Sequence, residues 1–232
     1  MSDIKLGDLN IVVLHKKIKN IHLNVHPPQG NVTISAPAHI DLDTIRIFAI
    51  SKLRWIKKQQ HKFQNQKREP KREYITKESH YFKGKRYLLK VIERNKKPQV
   101  ILKHSEIQLC VRPQATTDKK KKILDEWYRI QLKQLIPQLL KKWEKRIGVK
   151  ASEFRIRKMR TKWGTCNTKA KRIWLNLELA KKPIECLEYI IVHELVHLLE
   201  GSHNKRFIKF MDKFMPKWRF YKEKLNYLPL GL

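Results

Sequence analysis

Three histidines stand within eleven residues, His193 to His203, with Glu194 directly after the first, in the stretch VHELVHLLEGSHNKRF (Val192–Phe207). The other seven of the ten histidines are scattered. His193 and His197 are four apart, which on a helix turns both imidazoles to one side. Two imidazoles at that spacing can share one zinc ion, and Glu194 beside the first can reach the zinc-bound water as general base. A catalytic zinc takes three protein ligands and keeps one position open. His203 is the candidate third ligand, because Gly201-Ser202 turns the chain directly after the helix and lets it fold back. In such a centre the metal lowers the pKa of its water and polarises a carbonyl, while Glu194 takes the proton and passes it to a leaving amine. A peptide bond is the expected target. The plainer alternative is a pair of hydrogen-bonded core histidines. Burying two histidines and a glutamate on an apolar helix without a metal costs on the order of several kcal/mol, which weighs against it.

The elements that must position these groups are legible around them. Pro183 suits the first helical position, and Glu185 and Glu188 favour the positive end of the helix. IECLEYIIVHELVHLLE is apolar almost all round, the mark of a buried helix, and Gly201 stands where a left-handed cap belongs. Phe207, Phe210, Met211 and Phe214 predict a second, amphipathic helix that anchors His203. Upstream, Phe154–Arg157 and Arg172–Asn176 read as short strands flanking the loop RTKWGTCNTKAK. A strand before such a helix can form the rim of a peptidase cleft, and an edge strand can pair with an extended substrate. Arg172, Ile173, Trp174 and Leu175 are the candidate for that strand, with an ordinary internal strand as the alternative. Arg160, Lys162 and Asn167 are polar groups of the preceding loop and read as surface residues.

Further back, Ile21, Leu23 and Val25, then Val32 and Ile34, alternate with polar residues around PPQGN, which predicts a hairpin. A helix follows, capped by Asp41 or Asp43, with Ile45, Phe48, Ala49, Ile56 and Phe63 on one face. The basic run from Asn65 to Arg72 reads as a loop. Strands are expected on both sides of Gly84 within His80–Glu93, then at Gln99–Lys103 and Ile107–Val111. A long helix is expected with Asp118 or Thr117 as its N-cap, running to about Ile147, kinked at Pro137 and ended by Gly148. Its expected inner face is Ile123, Trp127, Ile130, Leu135, Leu139 and Trp143.

The chain of 232 residues is 41% apolar and 32% charged, so it can bury a core and stay hydrated. Its 53 Lys and Arg outnumber its 21 Asp and Glu, for a net charge of +32 that draws polyanions, nucleic acid above all. The cations are spread along the chain, which argues against a dedicated basic arm. No apolar run reaches the ~20 residues of a membrane span, and the start has no signal-peptide pattern, so a cytoplasmic location is expected. Cys110, Cys166 and Cys186 are odd in number with no C-x-x-C spacing, and read as reduced thiols.

The segment KMRTKWGTCNTKAKRIWLNLELAKKPIECLEYIIVHELVHLLEGSHNKRF resembles the YgjP-like metallopeptidases, relatives of the SprT-like zinc proteases. Shared features are Trp-Gly-Thr-Cys, an Ile-x-Leu-Asn strand ending at Asn176, a proline before the helix, Tyr189, His-Glu-Leu-x-His and His203. NIHLNVHPPQGNVTISAP, RWIKKQ and YFKGKRYLLKV extend the likeness over about residues 10–225. The resemblance implies zinc on His193, His197 and His203, Glu194 as catalytic base, and Trp163, Gly164, Thr165 and Cys166 near the site; Asn176 is expected near the site as well. Lys162 and Thr165 depart from the arginine and serine usual in the family, which removes fork-like hydrogen bonding from that loop. The spacing of His203 is also similar to that of metzincins, but Glu200 stands where those proteins carry glycine.

The expected fold is α+β, with an antiparallel β-rich part holding one helix (residues 1–115) and a zincin-like catalytic part (residues 116–232). Three functions compete: a zinc endopeptidase, the same chemistry tethered to nucleic acid, and a non-catalytic nucleic-acid-binding protein with a structural zinc. Six tryptophans, among them Trp55, Trp127 and Trp218, could offer a base-stacking platform, although most fit core faces. A structural zinc favours four ligands, often cysteine, and gives Glu194 no purpose.

Overall fold

The computed structural model describes residues 2–26, 29–65, 72–159 and 161–227. The chain divides into two compact units, Met1–Lys67 and Arg68–Leu232. The first holds strands β1 (Ser2–Leu6), β2 (Leu9–Lys16), β3 (His22–His26) and β4 (Asn31–Pro37), then helices α1 (Leu42–Ser51) and α2 (Leu53–Asn65). Its sheet runs β1-β2-β4-β3. The expected hairpin is β3–β4, with Leu23 opposite Ile34 and Val25 opposite Val32. Pro27 and Pro28 of its turn lie outside the described residues. Strands β1 and β2 form a further hairpin, and β2 pairs with β4 in parallel. Ile4, Ile11, Val13, Val32 and Ile34 from the sheet meet Ile45, Ala49 and Ile56 from the helices in one core. Each such Ile or Val side chain contributes about 1.5–3 kcal/mol by leaving water.

Asp41 caps α1, its carboxylate accepting from the Thr44 amide at 2.6 Å. The single helix expected here is two, interrupted at Lys52. The Ser51 hydroxyl donates to the Phe48 carbonyl at 2.7 Å, the oxygen that Lys52 N–H would take in a continuous helix. Lys52 bonds back to Ala49 instead, at 3.1 Å. Of the basic run expected as a loop, residues 66–71 lie outside the described residues.

The second unit begins with β5 (Ser79–Phe82), β6 (Lys85–Glu93), β7 (Gln99–Leu102) and β8 (Glu106–Val111), in the order β5-β6-β8-β7. Helix α3 (Thr117–Ile147) follows, capped by Thr116 and closed by Gly148 at φ 79°. It is one continuous helix through Pro137. Its inner face differs from the expected one by about one residue. Leu124, Tyr128, Leu132, Ile136, Leu140, Trp143 and Ile147 are buried, whereas Ile130 is 45% exposed. Apolar residues occupy both rows, so periodicity alone chooses between them poorly. Tyr128 tips the choice, because it is fully buried and its hydroxyl donates to the Tyr81 carbonyl at 2.7 Å.

A second sheet, β10-β11-β9, is built from β9 (Glu153–Arg157), β10 (Gly164–Asn167) and β11 (Arg172–Asn176). A short 3-10 helix (Leu177–Lys181) leads to α4 (Ile184–Val196), then α5 (Lys205–Phe214) and α6 (Trp218–Tyr227). Leu89, Ile107 and Leu109 of the first sheet share one core with Leu132 and Ile136 of α3 and with Ile191, Val192 and Val196 of α4. The division expected between residues 115 and 116 therefore falls inside this unit, because the sheet's apolar face is covered by the elements that follow it. The mixed α+β class holds, but the sheets of residues 1–115 are mixed and not antiparallel as expected, because β2–β4 and β6–β8 pair in parallel; among the described residues no helix is long and apolar enough to cross a membrane. The three cysteines are free.

Candidate metal centre

Helix α4 is buried on almost every side, from Cys186 to Val196. It ends earlier than expected, because Leu198 bonds back to Leu195 at 3.0 Å and Leu199 to Val196 at 2.9 Å, tightening the last turn. Gly201 is consequently not needed as a left-handed cap, and its φ is not in that region. The chain then reverses, and Asn204 caps α5 by accepting from the amides of Arg206 (2.9 Å) and Phe207 (3.0 Å). That cap fixes the backbone immediately after His203.

The three imidazoles converge. Their candidate ligand atoms all lie within 4.8 Å of one another, and Nε2 of His193 and Nε2 of His203 are 3.0 Å apart. Phe207 packs against all three rings, with centroids at 4.7–5.0 Å. Nδ1 of His197 stands 3.1 Å from the Glu200 carbonyl, which only accepts, so Nδ1 carries the proton and Nε2 keeps its lone pair. Burial, then the neighbouring imidazoles and Lys222, push the His193 pKa down to about 3. Burial also lowers that of His197. Both rings are thus neutral near pH 7, the form that binds a metal. Two imidazole lone pairs at 3.0 Å repel unless a cation or a proton lies between them, so the donor set fits a metal ion.

Glu194 is 3% exposed, and burial raises its pKa to about 8 against an opposing pull from Lys162. Its Oε2 is buried without a protein partner, as is Nδ1 of His193. Gly164 of β10 lies directly on it: a Cβ there would stand 2.5 Å from Glu194 Oε1 and 2.8 Å from Ile190 Cγ2. Glycine is required here for close approach, not for an unusual φ. The Tyr189 ring meets His193 edge-on at 5.9 Å and stacks on Trp218 at 6.5 Å. Burial, then Glu194, push its phenol up to about 12.

These groups border a cleft of about 480 Å³. Trp163, Gly164, Thr165 and Cys166 line it with the three histidines and Glu194. Burial raises the Cys166 thiol to about 11, which makes it a poor nucleophile. Asn176 does not line the cleft. It is buried behind it, where its side chain donates to the carbonyls of Met159 (2.9 Å) and Lys162 (2.8 Å) and accepts from the amides of Met159 (3.3 Å) and Glu178 (3.2 Å). Together with its backbone bond to Trp163, this ties down the segment leading into β10. Asn167 turns away to the Ala170 amide, and Arg160 lies outside the described residues.

The substrate strand expected at Arg172, Ile173, Trp174 and Leu175 needs correction. These residues form β11, which is hydrogen-bonded to β10 on one side and to β9 on the other, so both its edges are taken. Strand β10, read from the sequence as loop, is one of the two edge strands of this sheet and the one whose residues border the cleft. Four further lining residues, Thr168, Ile190, Lys222 and Leu225, were not singled out in the sequence. Lys222 and Leu225 lie on the last helix, and no local signal ties them to a site formed tens of residues earlier.

A buried helix carrying His-Glu-x-x-His, with a third histidine folded back onto it, is the site architecture of a metallopeptidase. The family model of the YgjP-like metallopeptidase domain matches residues 19–228, and the chain belongs to that family. The family implies a metal ion and a protein or peptide substrate. Among solved structures, the metallopeptidase zymogen of Pyrococcus abyssi abylysin is similar at 22% identity and a TM-score of 0.37, over 39% of this chain and 90% of that one. No curated protein matches the chain.

Proposed function

We propose that the chain is a zinc-dependent peptidase, with His193, His197 and His203 as ligands and Glu194 as general base. The observation that carries this reading is the meeting of three imidazoles, His193, His197 and His203, beside one buried, orphaned carboxylate oxygen. Zinc, when bound, polarises the scissile carbonyl and makes water easier to deprotonate. Glu194 accepts the proton of the attacking water and delivers it to the leaving nitrogen. A carboxyl raised to about 8 by burial is a stronger base than an exposed one, which suits a group that must both take and return a proton. The open edge of β10 offers backbone groups to an extended substrate, and Gly164 brings that edge against Glu194. Among the described residues no fourth ligand joins the three histidines, which favours an open, catalytic site over a closed structural one. Three free thiols suit a cytoplasmic, reducing setting.

Digestion of casein by the zinc-loaded protein tests the reading. Wild type is expected to cleave. Glu194→Gln is expected to keep its zinc and lose about 10²–10⁴-fold in rate, the usual worth of a general base. Wild-type rates in Glu194→Gln would sink the assignment. A second reading, the same chemistry tethered to nucleic acid, draws on the net charge of +32. It requires that cleavage depend on added single-stranded DNA.

A further inference from the structure

The cleft is electrostatically one-sided. Glu194 is the one acidic residue among those that line it, and it lies buried beneath Gly164. Two exposed cations, Lys162 and Lys222, border the same cleft. Among the described residues neither has an acidic group within ion-pair distance; the Lys222 ammonium instead lies 5.6 Å from the Trp218 ring centre. The segments that supply these lysines are themselves basic. Residues 158–172 hold six Lys and Arg and no acid, and residues 201–227 hold eight against Asp212 and Glu223. Asp212 is already paired with Arg219.

We infer that this cleft selects peptide substrates with acidic side chains beside the scissile bond, read by Lys162 and Lys222. Lys162 stands two residues before Gly164, the point where β10 touches Glu194. A strand advances about 3.3 Å per residue, so a substrate paired along β10 carries side chains within about two positions of its scissile bond past Lys162. Lys222 faces the cleft from α6, a separate element. An acidic side chain gains from both fields, and a basic one is repelled by both. The inference rests on the peptidase reading and narrows it to a substrate class.

Three internally quenched peptides, identical but for Glu, Gln or Lys flanking one central bond, test it. Their binding to zinc-loaded Glu194→Gln is followed by fluorescence anisotropy, and their cleavage by wild type as kcat/KM. The Glu peptide is expected to bind about fivefold tighter than the Gln peptide, and the Gln peptide about fivefold tighter than the Lys peptide, at low salt. The gaps should narrow once the Debye length falls below about 10 Å near 0.1 M salt. Placing Lys162→Gln and Lys222→Gln in that background should flatten the ranking, and Lys162→Glu with Lys222→Glu should reverse it. Mere structural damage would weaken all three peptides alike, without reversal. Equal binding of the three peptides overturns the inference. Ranked binding with no cleavage by wild type supports the acidic preference and overturns the peptidase reading. Unranked cleavage does the opposite.

Discussion

The sheets β1-β2-β4-β3 and β5-β6-β8-β7 are wired alike. Each has a parallel central pair flanked by antiparallel strands, and each is followed in the chain by helix. No repeat is visible in their sequences. They differ in what covers them. The first closes a core of its own with α1 and α2, while the second shares one with α3 and α4. They differ too in what they bury. Among the described residues the buried polar side chain of the first unit is Ser35; those of the second are His80, Asn176, Glu178, Lys182 and Glu194. One strand arrangement thus serves either as a self-contained apolar layer or as one wall of a core shared with the helices of a unit that also buries polar groups. The second use is costly for any group without a partner: Asn176 is fully hydrogen-bonded, whereas Oε2 of Glu194 has no protein partner.

The largest effects should come from the two cores. Leu109→Ala and Ile34→Ala are each expected to cost about 2–5 kcal/mol. Zinc at a hundredfold excess over Kd should return about 2.7 kcal/mol to the transition weakened by Leu109→Ala and nothing to the one weakened by Ile34→Ala. Calorimetry with and without zinc measures both, and a joint rise would break the contrast between the units. Next in size is Asn176→Ala, which leaves buried amides and carbonyls around Met159 and Lys162 unpaired at about 1–3 kcal/mol. Zinc content should hold while kcat falls, because β10 loses its tether and the metal ligands do not. Unchanged kcat would show that β10 needs no such support.

Removing the caps should cost about 1 kcal/mol each, Asp41→Ala in the first unit and Thr116→Ala in the second, seen as separate falls in Tm. The smallest effect concerns acid. Burial pushes the Glu178 carboxyl up, but Lys181 at 2.7 Å, with Lys158 and Lys182, holds it below its ordinary 4.5. A depressed folded pKa stabilises above the unfolded value and is lost as pH falls through the folded one. Lowering the pH from about 5 towards 3 should therefore destabilise wild type more than Glu178→Gln, read from Tm of the second unit. Parallel acid curves would remove Glu178 from the account.

Much of the second unit is legible because its signals are local. His193, Glu194 and His197 lie within one helical turn, and a buried helix is recognisable by its apolar run. Gly148 marks a helix end through a φ that few residues adopt, and the hairpin around Gly84 shows in simple alternation. The chain positions of β6, β7 and β8 follow from the same rule. Errors arose where two local patterns compete. On α3 the apolar residues offer two adjacent faces, and on β10 the polar string from Gly164 to Asn167 resembles a loop.

The sequence by itself determined the three histidines of the candidate metal centre, the glutamate beside them, the helix that carries the first two and the cationic excess around them. All of these depend on residue type and short spacing. Only the tertiary structure decided that β10 and not β11 is the free edge, that Lys222 borders the cleft, that Asn176 works from behind it, and that the unit boundary falls near residue 67. Strand pairing, and parallel pairing above all, joins segments far apart in the chain. Its register is set by which apolar faces bury against each other, and no short window of residues contains that information.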